Sequence, residues 1–372
     1  MHYETTFDVV NYAFFYYYLC SMENNELTML VGTYTTGKSK GIYTFRFNEE
    51  TGVSEALSFA EAENPSYLLV SHDGKYVYAV EEGNKDSAVN AFSFDKERGI
   101  LDFINSQPTC GESPCHINTD GRYIITANYG GGSLSVFPIA GDGSLLPVAS
   151  LIKFEGNGPH PKRQLSPHPH YSVFTPDKKF LLLTDLGTDK IYKFNVNNID
   201  ISGTEQMLTF GTPKYFPVTL ESGPRHIVFS SNGNYAYLIN EISGKVTVFE
   251  YKDGILKEIQ SIESDTDGAQ GSADIHIGPD GKFLYASNRL INDGIAIFSI
   301  NPKDGTLKKA GYRTTGIHPR NFIITPNGKF LLVACRDSNC IQVYERNIDT
   351  GLLTYTDNDI TVYNPVCIKF AE

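Results

Sequence analysis

Residues 223–256 read GPRHIVFSSNGNYAYLINEISGKVTVFEYKDGIL. Arg225-His226-Ile227-Val228-Phe229 is a short apolar-rich run, and Asn232-Gly233 follows it. More apolar residues come next, then Val246-Thr247-Val248-Phe249, and Asp253-Gly254-Ile255-Leu256 closes the segment. An Asn-Gly pair tolerates positive φ and suits a tight hairpin. The stretch therefore reads as three or four antiparallel strands. Similar pairs recur at Asp73-Gly74, Asp120-Gly121, Asp280-Gly281 and Asn327-Gly328, with Asp177-Lys178 in the sixth slot. Each precedes a run such as Tyr76-Val77-Tyr78-Ala79-Val80 or Phe330-Leu331-Leu332-Val333-Ala334. The closing pattern returns at Asp142-Gly143-Ser144-Leu145 and Asp304-Gly305-Thr306-Leu307. A period of about fifty residues, built of strands and without helical periodicity, predicts an array of propeller blades.

The expected fold is all-β: a seven-bladed β-propeller of four-stranded antiparallel blades. Six blades carry a full turn motif. The seventh is split between the chain ends. Val366–Phe370 supplies its inner strand, while Thr28–Val31, Gly41–Phe45 and a strand near Leu57 supply the others. Pairing the N-terminal strands with the C-terminal one closes the ring and removes exposed edges. It also explains why neither end has a polar capping repeat. Residues 27–372 form one propeller domain on this reading, and residues 1–26 lie outside the repeat.

The chain has 372 residues, 33 Gly, 18 Pro and 12% aromatic residues, which suits many strands and turns. That length exceeds the usual single-core limit, and a propeller escapes the limit because each blade interface is its own core. A net charge of −12 argues against nucleic acid or an anionic membrane as partner. The six cysteines are too few and too irregular for a disulfide framework. Cys110/Cys115 and Cys335/Cys340 share a spacing, but it is not a zinc-finger spacing, so no metal is expected.

Two motifs near the start mislead. Gly32-Thr33-Tyr34-Thr35-Thr36-Gly37-Lys38-Ser39 matches the phosphate-loop pattern, and Gly37-Lys38-Ser39-Lys40-Gly41 matches the nucleophile elbow. Both devices need a helix next. The next residues, Gly41–Phe47, alternate as a strand does, so a hairpin loop is expected instead. In the first 26 residues, Ala13–Cys20 is apolar but too short to span a bilayer. The residues before it carry Glu4 and Asp8 without Lys or Arg, unlike a secretory signal. Met22 offers an alternative start, and the expected location is cytoplasmic.

Inner strands of a propeller line its channel, and loops at their ends build a cup where a ligand belongs. The candidates there are Lys162, Arg163, His168, His170, Asp185, Arg225, His226, Glu241, His276, Arg289, His318 and Arg320, with Asn240 and Asn288 beside Glu241 and Arg289. Cations converging in an acidic chain suggest an anionic ligand. Polar residues at equivalent positions of a repeat also serve blade-to-blade hydrogen bonds. That structural role is favoured for His226 and His276, and Asp185 reads equally well as a turn-stabilising carboxylate. Arg225, Glu241 and Arg289 do not recur at the same slots in other blades, which points to function.

The runs Gly156-Asn157-Gly158-Pro159, Arg163-Gln164 and Pro167-His168-Pro169-His170 resemble the signature of the seven-bladed propeller lactonases. So do Thr184–Asp189, Gly223-Pro224-Arg225-His226, Asn240-Glu241, Ser287-Asn288-Arg289 and His318-Pro319-Arg320. The resemblance covers about residues 28 to 370. That family includes bacterial 6-phosphogluconolactonases and is similar to fungal carboxy-muconate lactonizing enzymes. It implies a catalytic set at His170, Arg225, Glu241 and Arg289. Arg163, His168, Asp185, Asn240, Asn288, His318 and Arg320 are the expected substrate contacts. Glu112-Ser113-Pro114-Cys115-His116 departs from the pattern.

The implied reaction is hydrolysis of 6-phosphogluconolactone in the oxidative pentose phosphate route. A small anionic lactone is the expected partner, with no cofactor and a monomer or weak homo-oligomer. In that chemistry His170, at near-neutral pKa, is the base for water. Glu241 orients the base or acts as a second acid/base, and Arg225 and Arg289 stabilise the oxyanion. Two other readings stay open. One is a lactonase or lactonizing cycloisomerase for another small carboxylate. The other is a non-catalytic propeller that binds a ligand or a protein.

Overall fold

The computed structural model describes residues 25–83, 86–197 and 207–371. The expected N-terminal extension and the alternative start at Met22 fall outside the described residues, apart from the last two positions of the extension. The chain runs as seven antiparallel sheets around an axis. Blade 1 is the split one. Its inner strand is Pro365–Ala371, followed outward by Glu26–Thr33, Gly41–Asn48 and Ser54–Glu61. Leu30 faces Lys369 and Val31 faces Ile368, so the two ends of the chain close the ring. Blades 2 to 7 have inner strands beginning near Leu68, Pro114, Pro169, Pro224, Ile275 and Pro319. Blade 7 departs from four strands. Its third strand, Cys340–Arg346, pairs with two short outer pieces, Leu353–Tyr355 and Ile360–Thr361.

The punctuation residues act as their chemistry requires. Gly74, Gly121, Gly233, Gly281 and Gly328 all have φ between 68° and 90°. Lys178 occupies the sixth slot at φ 56°, a conformation that L residues adopt at a cost. The carboxylate or amide before each of these residues accepts from a backbone N–H two residues on, as Asp73 does from Lys75 and Asn232 from Asn234. These are Asx turns, and they fix the register of every inner hairpin of blades 2 to 7.

Packing is between blades. Met29, Val31, Phe45 and Phe47 of blade 1 meet Phe330, Leu332, Ile341 and Val343 of blade 7 in one buried cluster. Tyr123, Ile125 and Val136 of blade 3 meet Leu181, Leu183 and Phe194 of blade 4 in another. Each fully buried side chain of this kind is worth about 1.5–3 kcal/mol. Seven rigid sheets therefore hold their inner ends around one axis.

Candidate functional site

The inner strands deliver their side chains to the axis through a repeated irregularity. Pro114 pairs with Asn128 and His116 with Ala127, so Cys115 between them is skipped. The same slip occurs between Pro169 and Tyr171, between Pro224 and His226, and between Pro319 and Asn321. Those skipped residues are His170, Arg225 and Arg320. A bulge re-aims a side chain without breaking the sheet. Cys115, His170, Arg225 and Arg320 line one small axial cavity with Ser66 and Val366. A second set comes from the residue just past the second strand of each blade. It includes Tyr34, Glu82, Tyr129, Glu241 and Arg289.

Sequence reading took Glu241 and Arg225 as unique to their slots. The fold corrects this, because Glu82 occupies the Glu241 slot in blade 2 and Arg320 the Arg225 slot in blade 7, and Arg289, read as unique in the same way, has Arg336 in its slot in blade 7. Blade-by-blade alignment past each inner-strand proline would have found Glu82, Tyr34 and Tyr129 as well.

Glu241 is the hub. Its carboxylate lies 2.6 Å from Arg163 Nη2, 2.8 Å from Arg225 Nε and 3.5 Å from Arg289 Nη2. Burial alone would raise its pKa, but Arg289, Arg225 and Arg163 outweigh that and hold it at about 2. It is a fixed anion, unsuited to the acid/base role considered from the sequence. Arg225 also donates to the Ala273 carbonyl, and Arg289 Nε donates to the Gly271 carbonyl at 2.7 Å. Burial pulls Arg289 down to about 9, against the pull of Glu241, and it stays protonated at neutral pH.

Across the cavity, Tyr34 donates to both Glu82 oxygens at 3.0 and 3.1 Å, and Arg320 lies over the Tyr34 ring. Arg320 reaches Glu82 only at 3.9 Å. Among the described residues, four guanidiniums thus face Glu241 and Glu82 at the mouth, an excess of positive charge inside an acidic protein. Low-dielectric walls focus such a field on an anion.

Below the mouth lies Asp274, which sequence reading missed. It accepts from His226 Nδ1 at 2.7 Å, from His276 Nε2 at 3.0 Å and from Asn321. With the His226 proton on Nδ1, Nε2 is free to accept from Arg225 Nη1 at 3.3 Å. Asp274 and His226 therefore orient Arg225, and the structural reading of His226 and His276 fits their contacts. His318 sits at φ 64°, a strained conformation of the kind found at functional sites, with Nε2 3.2 Å from Arg289 Nη1.

His170 is buried, and its Nδ1 has no hydrogen-bond partner among the described residues. Desolvation first, then Arg225, His226, Arg320 and Arg289, push its pKa well below 6.5. The folded protein thus shifts His170 away from the near-neutral value expected from the sequence. His168 stacks on Tyr129 with ring centroids 4.4 Å apart, beside His170. Lys162 is exposed on the same loop.

These histidines set a pH dependence. Burial and Arg225 hold His226 at about 4, and burial and Arg289 hold His318 at about 3, both below the unfolded value near 6.5. The unfolded chain binds more protons in that window, so stability is full above about pH 6.5 and falls as pH drops. His226 alone contributes a loss of about 2 kcal/mol by pH 5. Thermal melts at pH 7.5, 6 and 5 should show a progressive fall, and a flat midpoint across that range would contradict the burial of neutral imidazoles.

Three expected ligand contacts make hydrogen bonds to the scaffold, although Asn240 Oδ1 has no hydrogen-bond partner among the described residues. Asp185 accepts from the His168 and Gly187 N–H groups and from Thr188 Oγ1. Asn240 Nδ2 donates to Lys245 O and Thr247 Oγ1, and Asn288 is held by Ser264 and Ser272. All three close the second strand of their blades and support the loop that carries the next residue. The Asp185 turn has no room to spare. A Cβ on Gly187 would lie 1.9 Å from Ser166 O and 2.8 Å from His168 N, both backbone atoms. Gly187→Ala should lower stability by about 1–3 kcal/mol in a denaturant melt and displace the Arg163–His168 loop. An unchanged midpoint would show that the loop yields freely.

Among the described residues, no group of three His, Cys, Asp or Glu side chains is placed to hold a metal ion. A larger groove between blades 2 and 3, lined by Glu81, Ser87, Cys110 and Glu112, has no histidine or arginine among the described residues that line it.

Residues 28–370 match the family described as Lactonase, 7-bladed beta-propeller. A 6-phosphogluconolactonase of Formosa agariphila is 41% identical over 344 residues, covering 90% of this chain and 96% of that one. The 6-phosphogluconolactonase of Bacillus subtilis is 37% identical, covering 91% and 97%. Among solved structures, a protein from Bacteroides fragilis is 60% identical with a TM-score of 0.93, covering 93% of this chain and 98% of that one. The periplasmic gluconolactonase of Pseudomonas aeruginosa is 33% identical with a TM-score of 0.87, covering 93% and 99%.

Proposed function

The chain belongs to the seven-bladed β-propeller lactonase family, and we propose that it hydrolyses 6-phospho-D-glucono-1,5-lactone to 6-phosphogluconate at the mouth of the central channel. The observation that carries this reading is the cationic mouth, where Arg225, Arg289 and Arg320 act on His170 and Arg163 joins them at Glu241, so that among the described residues these four guanidiniums outnumber Glu241, Glu82 and the deeper Asp274. A phosphorylated lactone brings the missing negative charge.

His170 takes a proton from water, and the water oxygen attacks the lactone carbonyl carbon. Arg225 and Arg289, held by Glu241, Ala273 O and Gly271 O, stabilise the oxyanion. Collapse breaks the bond to the ring oxygen, which receives the proton back from His170. Arg320 is the phosphate clamp. Its guanidinium makes no short hydrogen bond to protein among the described residues, so its donors are open to a ligand. Arg163 and His168 close the near side of the cup.

The test is hydrolysis of freshly generated 6-phosphogluconolactone, wild type beside Arg225→Ala, with unphosphorylated gluconolactone as the competing substrate. A rate well above the spontaneous one, lost in the variant and dependent on the phosphate, supports the reading. Equal rates on both lactones would move it to the sugar lactone named for the Pseudomonas relative. No acceleration by folded protein would leave a binding propeller. We place the protein in the cytoplasm, where phosphate esters are made and where its five free cysteines among the described residues stay reduced. We expect a monomer or a weak homo-oligomer, which sedimentation would read directly.

A further inference from the structure

Cys335 ends the second strand of blade 7 and Cys340 begins the third, and the two are direct partners across the antiparallel pair. Such partners have Cα atoms about 4.5–5.5 Å apart, within the window of about 4.4–6.8 Å that a disulfide needs. Both are free thiols, Cys335 fully buried and Cys340 partly exposed. The loop between them touches the site. Arg336 N donates to His318 O at 3.1 Å, and Asp337 N donates to Ile317 O at 3.2 Å. Ile317 N donates to Ser338 Oγ at 2.7 Å, and Asp337 lies 3.6 Å from His318 Nδ1. His318 in turn meets Arg289.

We propose that Cys335 and Cys340 are an oxidisable dithiol whose closure by a peroxide constrains the Arg336–Asn339 loop and, through His318, the Arg289 guanidinium. Contact with the Cys335 thiol lowers the Cys340 pKa, against burial and Asp359, so the exposed sulfur is the better nucleophile. The Cys340 thiolate attacks the peroxide oxygen, an S–O bond forms, the O–O bond breaks and water leaves. Cys335 sulfur then attacks the sulfenic sulfur, the S–S bond forms, the S–O bond breaks and a second water leaves. The thiols give up two electrons and two protons, and hydrogen peroxide becomes two waters. Cys110 and Cys115 share the sequence spacing but not the geometry. Cys115 is directed at the Pro169 and His170 carbonyls, and Cys110 is exposed.

The experiment treats the full chain with stoichiometric hydrogen peroxide, alkylates remaining thiols and maps tryptic peptides. Trypsin cuts after Arg336, so the disulfide joins residues 330–336 to 337–346. The expected result is that joined pair, lost with dithiothreitol and absent in Cys340→Ser and Cys335→Ala. Oxidation of Cys110 without the joined pair would overturn the proposal. The activity arm rests on the lactonase reading, whereas the peptide arm does not. Oxidised wild type should lose several-fold in kcat/KM and recover with reductant, while Cys340→Ser keeps its rate. A joined pair with unchanged rate, or equal loss in Cys340→Ser, would remove the coupling to Arg289.

Discussion

Glu241→Gln is expected to damage fold and rate together. The substitution keeps shape and removes one charge, yet three guanidiniums share that charge. Arg225 and Arg289 are 2% and 5% exposed, so water cannot replace the carboxylate. Removing one partner of a buried ion pair typically costs about 3–5 kcal/mol. The thermal midpoint should fall by several degrees. Lactone hydrolysis should fall by about a hundredfold or more, since displaced guanidiniums no longer meet the oxyanion. Arg163→Ala is the contrast. Its side chain is a third exposed and its pair with Glu241 lies at the rim. Such pairs contribute about 0–1 kcal/mol, so stability should hold while KM rises. A Glu241→Gln protein that melts like wild type would show that the arginines are balanced elsewhere.

The fold was legible because its cause is local. An Asx turn every fifty residues, each followed by a β-branched and aromatic run, leaves few arrangements besides stacked blades. The split blade was legible because Val366–Phe370 lacks partners and Thr28–Val31 lacks an inner strand. The site was legible only in part. Charged residues next to prolines stand out, so Arg225, Arg320 and His170 could be named. Their convergence depends on the bulge, which no single position announces. Asp274 was hidden because blade 6 has no inner-strand proline to mark its slot, and its partners His226 and Asn321 come from other blades. Asn240 and Asn288 look like ligands in sequence because a polar residue beside a charged one suggests a pair. In space, alternation sends the two to different tasks, one clamping the hairpin and one facing the cup.

His170→Ala should lower kcat by about 10²–10⁴-fold, the range for losing a general base. Its Nδ1 has no hydrogen-bond partner among the described residues, so the substitution removes no hydrogen bond there, and the folded state should survive it. The pH profile separates this role from a packing role. In the free protein burial and surrounding cations keep the imidazole neutral well below pH 6.5. The acid limb of kcat/KM, which reports the free enzyme, should therefore lie below 6.5. A bound phosphate dianion offsets Arg225, Arg289 and Arg320, which raises the imidazole pKa in the complex. The acid limb of kcat should then appear at higher pH than that of kcat/KM, and both should vanish in the variant. This ordering also reconciles a strongly desolvated histidine with catalysis, because the substrate itself makes the base competent. An acid limb in kcat/KM at 6.5, or one that persists in His170→Ala, would assign the proton to another group, and His168 would be the next to test.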